Sequence, residues 1–214
     1  MKSIYEFKKK TDDLPSTDLL KQVEYYRKNS SEIFMIDESV DQEHYRAKMK
    51  LTGDYGMALS ANSNYSEAYP ILTKAIALWR TDPYQGETQL EDISYFQHLL
   101  FHQGMAAFYK KNINEAKETF KRLVEKDPTN YRYQNWQVTV SLYRLNAISR
   151  IFGYVFLAII VLRILLKSIL PDWVDSFYNP VFAAFLLGYL SIEIIKWRNK
   201  SKLKKGRAIA AKEG

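Results

Sequence analysis

Residues 97–130 read QHLLFHQGMAAFYKKNINEAKETFKRLVEKDPTN. The pattern predicts two helices, one over 90–110 and one over 113–126, joined by the short connector Lys111-Asn112. Asp127-Pro128-Thr129-Asn130 ends the second, because proline lacks a backbone donor and disfavours helix in the residue before it. Gly104 lies inside the first helix. Ala116 follows twelve residues on, then Phe120, then Pro128.

That spacing resembles the tetratricopeptide repeat. The resemblance implies that Gly104 holds repeat position 8, where a small residue lets two helices pack closely. Ala116 at position 20 and Phe120 at position 24 would fill the contact, and Pro128 at position 32 would close the unit. Leu100 and Leu123 occupy positions 4 and 27, while position 11, normally Tyr, carries Ala107 with Phe108 beside it.

A weaker unit lies upstream over 49–83. Gly56, Ala68, Leu72 and Ala75 give the same 8–20–24–27 skeleton, with Asp82-Pro83 closing it three residues late. A partial unit follows over 131–149, with room for its first helix only. Ala68 and Ala116 are 48 residues apart where the repeat period is 34, so 14 residues are inserted, mostly in 81–94. Such units bury their apolar faces only by stacking on one another. The fold class expected is all-α, a tetratricopeptide-like helical-repeat head over 1–149 followed by a transmembrane helical hairpin. The remaining helices of the head are predicted over 17–29, 38–61, 65–80 and 130–149. The first starts behind the cluster Asp12-Asp13-Leu14-Pro15-Ser16-Thr17, and 81–89, TDPYQGETQ, forms a longer loop. No alternating Val/Ile/Thr run bounded by glycine turns signals a strand.

The hairpin occupies 150–198. Residues 151–170, IFGYVFLAIIVLRILLKSIL, and 177–197, FYNPVFAAFLLGYLSIEIIKW, are each long enough for about 30 Å of hydrocarbon. PDWVDS between them is too short for anything but an antiparallel return. Lys and Arg crowd the ends away from that turn, which itself has only Asp172 and Asp175. Both termini are therefore expected to be cytoplasmic, in a bacterial inner membrane. MKSIYEFKKK has a basic start without an apolar core, so no export of the head is expected. No Gly or Pro separates Trp136 from Ile151, so one helix should run from the last repeat into the bilayer.

The charge has a location. The chain has 214 residues and a net charge of +7, but residues 1–149 carry 20 basic and 20 acidic side chains. The whole excess lies in 150–214, and eight basic residues fall in 196–214. A basic tail directly behind an apolar segment points to anionic lipid rather than nucleic acid, with Lys200, Lys202, Lys204, Lys205 and Arg207 as the lipid-facing set over 199–214. Arg163 and Lys167 share a face of the first span; they reach for outer phosphates by snorkelling, or Arg163 meets an acid of another subunit. Glu193, near the inner face and level with Tyr154, is expected close to Arg150.

Composition narrows the chemistry. Aromatics at 14% and hydrophobics at 47% exclude a disordered chain. No cysteine means no disulfide framework, thiolate metal site or catalytic thiol. His98 and His102, four apart, have a metal-compatible spacing, but HLLFH lacks the Glu of HExxH and any third ligand. No phosphate-binding or nucleophile motif occurs, so no catalysis, cofactor or metal is expected.

The resemblance assigns the two histidines elsewhere. First-helix positions 2, 5, 6, 9, 12 and 13 line the concave groove of such repeats, which here offers His98, Phe101, His102, Met105, Phe108 and Tyr109. The partial unit adds Arg132, Asn135, Trp136, Thr139 and Tyr143, and the upstream unit Lys50, Asp54 and Met57. The basic clamp that some family members use for a C-terminal carboxylate is represented by Arg132 alone, with Gly53, Met57, His102 and Trp136 at the other positions, which disfavours a chaperone tail. The apolar residues 4–7, IYEF, suit the groove as an internal cap. The function expected is a membrane-anchored adaptor that binds a protein partner at the cytoplasmic face. Two alternatives stay open: an oligomerising effector that permeabilises or remodels the bilayer, and an accessory subunit of a transporter or channel.

Overall fold

The computed structural model describes residues 18–86, 89–166 and 173–213. The expectations placed on IYEF at 4–7, on Lys167 and on Pro171-Asp172 lie outside the described residues. Packing divides the chain into two compact units, Met1–Tyr133 and Gln134–Gly214. The described residues contain seven α-helices, one short 3-10 turn and no strand.

In the first unit, α1 (Leu19–Phe34), α2 (Gln42–Ala61), α3 (Tyr65–Arg80), α4 (Ser94–Tyr109) and α5 (Ile113–Lys126) follow one another, and the first turn of α6 (Tyr131–Leu166) completes it. Each of α1 to α4 packs on the next, and α2 also packs on α4. That is the neighbour pattern of stacked helical hairpins, in which the first helices of successive hairpins touch each other.

Two hairpins, α2–α3 and α4–α5, match each other at their turns and crossings at an offset of 48. Ser63 and Lys111 both take positive φ, 63° and 69°. Behind each, the N–H of Asn64 donates to Leu59 O and that of Asn112 to Ala107 O, both at 2.9 Å, closing the carbonyls left open at the helix end. Gly56 and Gly104 hold the two crossings. A Cβ on Gly56 would stand 2.7 Å from Leu72 Cγ, and one on Gly104 2.9 Å from Phe120 Cζ. Ala68, Leu72, Ala116 and Phe120 are fully buried there.

Helix ends depart from the sequence prediction for local reasons. α1 runs five residues past 29 because Asn29 and Ser30 turn their polar ends back onto Tyr25 O and Arg27 O, at 2.7 and 2.9 Å. That leaves Ile33 free to be buried. α2 starts four residues late, since Asp37 captures Ser39 in a turn and Asp41 caps the helix through the His44 N–H. α3 and α5 lie at the predicted bounds. The expected start of α4 at 90 is instead a 3-10 turn, Leu90–Asp92, tied by Asp92 to Lys126 at the end of α5.

α1 covers the first hairpin through Val23, Tyr26 and Ile33, with Tyr26 stacked on Tyr55 at 5.6 Å. Lys48, buried in α2, donates to Ile36 O at 2.8 Å and to Glu38, anchoring the α1–α2 loop.

The second unit is a helical pair. α6 continues unbroken to Leu166 through Gly153, and α7 spans Trp173–Glu213. They run antiparallel: Phe156 meets Phe182 at 4.8 Å, Phe152 meets Phe185 at 5.7 Å, and Ser149 reaches Glu193. Residues 199–213, expected as a tail, continue the α7 helix. Lys, Arg and Ala are strong helix formers, and nothing beyond Gly206 interrupts them.

Two stretches, Tyr131–Leu165 and Pro180–Asn199, are long and apolar enough to cross a membrane. Their most apolar parts are 6% and 0% buried.

Candidate partner-binding site

The groove positions on α4 are largely occupied by the head itself. Phe101 is 3% exposed, edge-on to Phe120 at 5.9 Å and beside Tyr133 at 5.7 Å, with the Arg132 guanidinium over its ring at 4.8 Å. It is core. His102 is half-buried and puts Nδ1 3.1 Å from Ser60 Oγ on α2. Burial, followed by the charges of Arg132 and His98, pushes its pKa down to about 4, so the ring is neutral at ordinary pH. His98 is exposed, Met105 and Phe108 are half-buried, and Tyr109 stacks on Tyr65 at 4.0 Å.

The upstream groove positions are drawn together by Tyr95. Lys50 pairs with Asp54 at 2.8 Å, and the Tyr95 hydroxyl lies 2.7 Å from Asp54 Oδ1 and 3.1 Å from Lys50 O. Tyr95 sits over Gly53, where a Cβ would stand 2.6 Å from the phenol oxygen. Burial, then the Asp54 charge, raises the phenol well above its usual range, so it remains protonated as a donor.

Met57, the third upstream position, is half-buried on α2, and the remaining expected groove residues belong to the second unit. Asn135 and Thr139 are exposed on α6, the Thr139 hydroxyl donating to Asn135 O at 2.8 Å, while Trp136 and Tyr143 are half-buried. Arg163 is half-buried on the same helix. Glu193, expected near Arg150, has the neighbouring Ser149 as partner, its Oε1 accepting from the Ser149 hydroxyl at 2.7 Å and from Lys196 at 2.6 Å. Lys200, Lys202, Lys204, Lys205 and Arg207 lie along the helical extension of α7.

Sequence reasoning missed a second surface beside the upstream positions. The described part of the 14-residue insertion is not a free loop. It returns across the ends of α2 and α3 and frames a cleft of about 590 Å³. Met49, Trp79, Ile93 and Tyr95 form its floor, buried or half-buried. Trp79 is held against Tyr95 at 5.6 Å and Phe96 at 5.9 Å, so the floor is fixed before any ligand arrives. Tyr84, 40% exposed and edge-on to Tyr45, stands on the rim with Arg46 and Lys50. Asp82 braces the loop by accepting the Tyr84 N–H at 2.8 Å. The signal was there, in an insertion carrying Tyr84 between Trp79 and Tyr95, but nothing local says which way a loop folds.

No family model, curated protein or solved structure matches the chain.

Proposed function

We propose that this protein is a membrane-anchored adaptor of tetratricopeptide-repeat type, with the first unit recruiting a protein partner and the second holding it at the bilayer. The observation that carries the reading is the exposure of the apolar pair. A core helix of a water-soluble domain hides its apolar surface, whereas Leu157, Ile164, Leu187, Ile194 and Trp197 are all more than half exposed. A run of that kind in water is an aggregation hazard; in lipid it is at equilibrium. The repeat assignment is supported by the two glycine crossings and the two identical turns at an offset of 48. In this reading both termini are cytoplasmic, the basic end of α7 faces anionic lipid headgroups, and the head carries out no catalysis and uses no cofactor.

Reporters fused at Met1 and Gly214 should read cytoplasmic and one within 172–176 external. The protein should also resist alkaline extraction from membranes. Release into the soluble fraction, or a cytoplasmic turn, would sink the anchor. A pure homo-oligomer in detergent, with no second protein retained, would favour the membrane effector instead.

A further inference from the structure

Every charged side chain lining the insertion cleft is used by the chain, with one exception. Lys50 is held by Asp54, and Asp82 by the Tyr84 N–H. Arg46, exposed on the rim, has no partner among the described residues. An unpaired guanidinium beside an apolar, aromatic floor can receive a carboxylate carried next to an apolar side chain.

We propose that this cleft docks an extended acidic–apolar peptide segment of the partner, its carboxylate on Arg46 and its adjoining aromatic or aliphatic side chain on Met49, Trp79, Ile93 and Tyr95. The inference rests on the adaptor reading and gives it a surface and a ligand class. Three features favour a peptide. The volume of about 590 Å³ accepts one large side chain with its backbone. Exposed Arg46, Lys50, Tyr84 and Gly86 leave the rim open, so a chain can enter and leave. The packing of Trp79 on Tyr95 and Phe96 means the floor loses little freedom on binding. The insertion supplies Asp82, Tyr84 and Ile93, so this surface exists only because the repeat is lengthened here.

The test uses the intact protein in phosphatidylcholine nanodiscs, a neutral lipid that gives the basic helix nothing to bind. The probe is a fluorescent, end-blocked hexapeptide carrying Asp-Phe between glycines and serines. Two control peptides have Lys for the Asp or Ser for the Phe. Anisotropy should show binding of the first, with both controls weaker by about tenfold or more. Arg46→Glu should weaken it by at least about tenfold and Tyr84→Ala by several-fold, with circular dichroism unchanged. Arg80→Glu makes the same charge change on an exposed residue outside the cleft and should leave binding as it was. Equal losses from Arg46→Glu and Arg80→Glu would overturn the proposal, as would equal binding of the Lys peptide or no binding at about 1 mM. Arg46-dependent self-association or vesicle binding in place of peptide binding would overturn it too. The adaptor reading fails separately. If Arg46→Glu leaves partner capture from the native membrane intact, the cleft assignment falls and the adaptor stands. If the peptide binds but no protein is held there, the cleft stands and the adaptor falls.

Discussion

Gly104 and Phe120 are in direct contact across the α4–α5 crossing, so close that a Cβ on the glycine would stand 2.9 Å from Phe120 Cζ and 3.2 Å from Thr119 Cγ2. Phe120 is fully buried and edge-on to Phe101, so the ring has nowhere to retreat.

Gly104→Ala should therefore destabilise the head despite improving helix propensity. Overpacking costs about 1–3 kcal/mol and alanine returns at most about 1 kcal/mol, leaving a net loss of up to about 2 kcal/mol. Thermal unfolding in detergent should show it, and Phe120→Leu in the same chain should recover part of the loss, because the shorter side chain vacates the contact. A stable Gly104→Ala protein would mean the helices are further apart than this crossing requires.

The hairpin turns make the opposite prediction. Lys111 sits at φ 69° with its N–H on Phe108 O, a left-handed conformation that costs an L-residue about 1 kcal/mol or more and a glycine almost nothing. Lys111→Gly should stabilise the head by about 0.5 kcal/mol after the extra freedom of glycine in the unfolded chain is subtracted. Ser63→Gly should do the same, since Ser63 holds the equivalent place. Lys111→Val should cost more than either gains. A fall in melting temperature for both glycine variants would contradict the turn geometry.

Much of this fold was legible because its signals are local and periodic. The small–aromatic spacing of Gly104, Ala116 and Phe120 states where two helices cross, and Asp127-Pro128 states where the second stops. The apolar pair was legible by length alone. What stayed hidden depended on distant partners. Leu90–Asp92 reads as helix until Asp92 is pinned by Lys126 on another element. Tyr95 reads as one more helical aromatic until its hydroxyl finds Asp54, 41 residues earlier. Phe101 and Tyr109 fall on the face that the repeat pattern assigns to a groove, but one meets Phe120 and Tyr133 and the other Tyr65. Position on a helix names a face; it does not say what already covers it.

Lys48 offers a test of the α1–α2 connection. Its ammonium group is buried against Ile36 O and Glu38, while Glu38 itself is 41% exposed on its side chain. Glu38→Gln should cost little, on the order of 1 kcal/mol, because Ile36 O still receives the ammonium. Lys48→Ala removes the stem as well as the charge and should cost about 2–4 kcal/mol. Lys48→Met keeps the stem's packing and discards the desolvated charge, so it should cost less than Lys48→Ala. Unfolding midpoints in denaturant would rank the three. Equal losses for Met and Ala would mean the charge, not the packing, holds the loop.

His102 sets a pH dependence whose sign is fixed by its surroundings. Folding lowers its pKa from 6.5 to about 4, first through burial and then through Arg132 and His98. Between those values the unfolded chain binds a proton that the folded head does not, so stability rises with pH across that window. It is complete above about 6.5, declines as pH falls, and the decline levels off below about 4. The drop attributable to His102 is at most about 3 kcal/mol, and less to the extent that the half-buried ring is reached by water. His102→Gln removes the titration, so the difference between wild-type and variant melting temperatures should change with pH only inside that window. Arg132→Ala removes the second of the three causes. The ring should then titrate higher, by proton NMR of its Cε1–H, and the wild-type slope should shrink. If the His102 resonance titrates near 6.5 in the folded protein, or the two melting curves stay parallel from pH 7 to pH 4, the ring is not enclosed as the Ser60 contact implies.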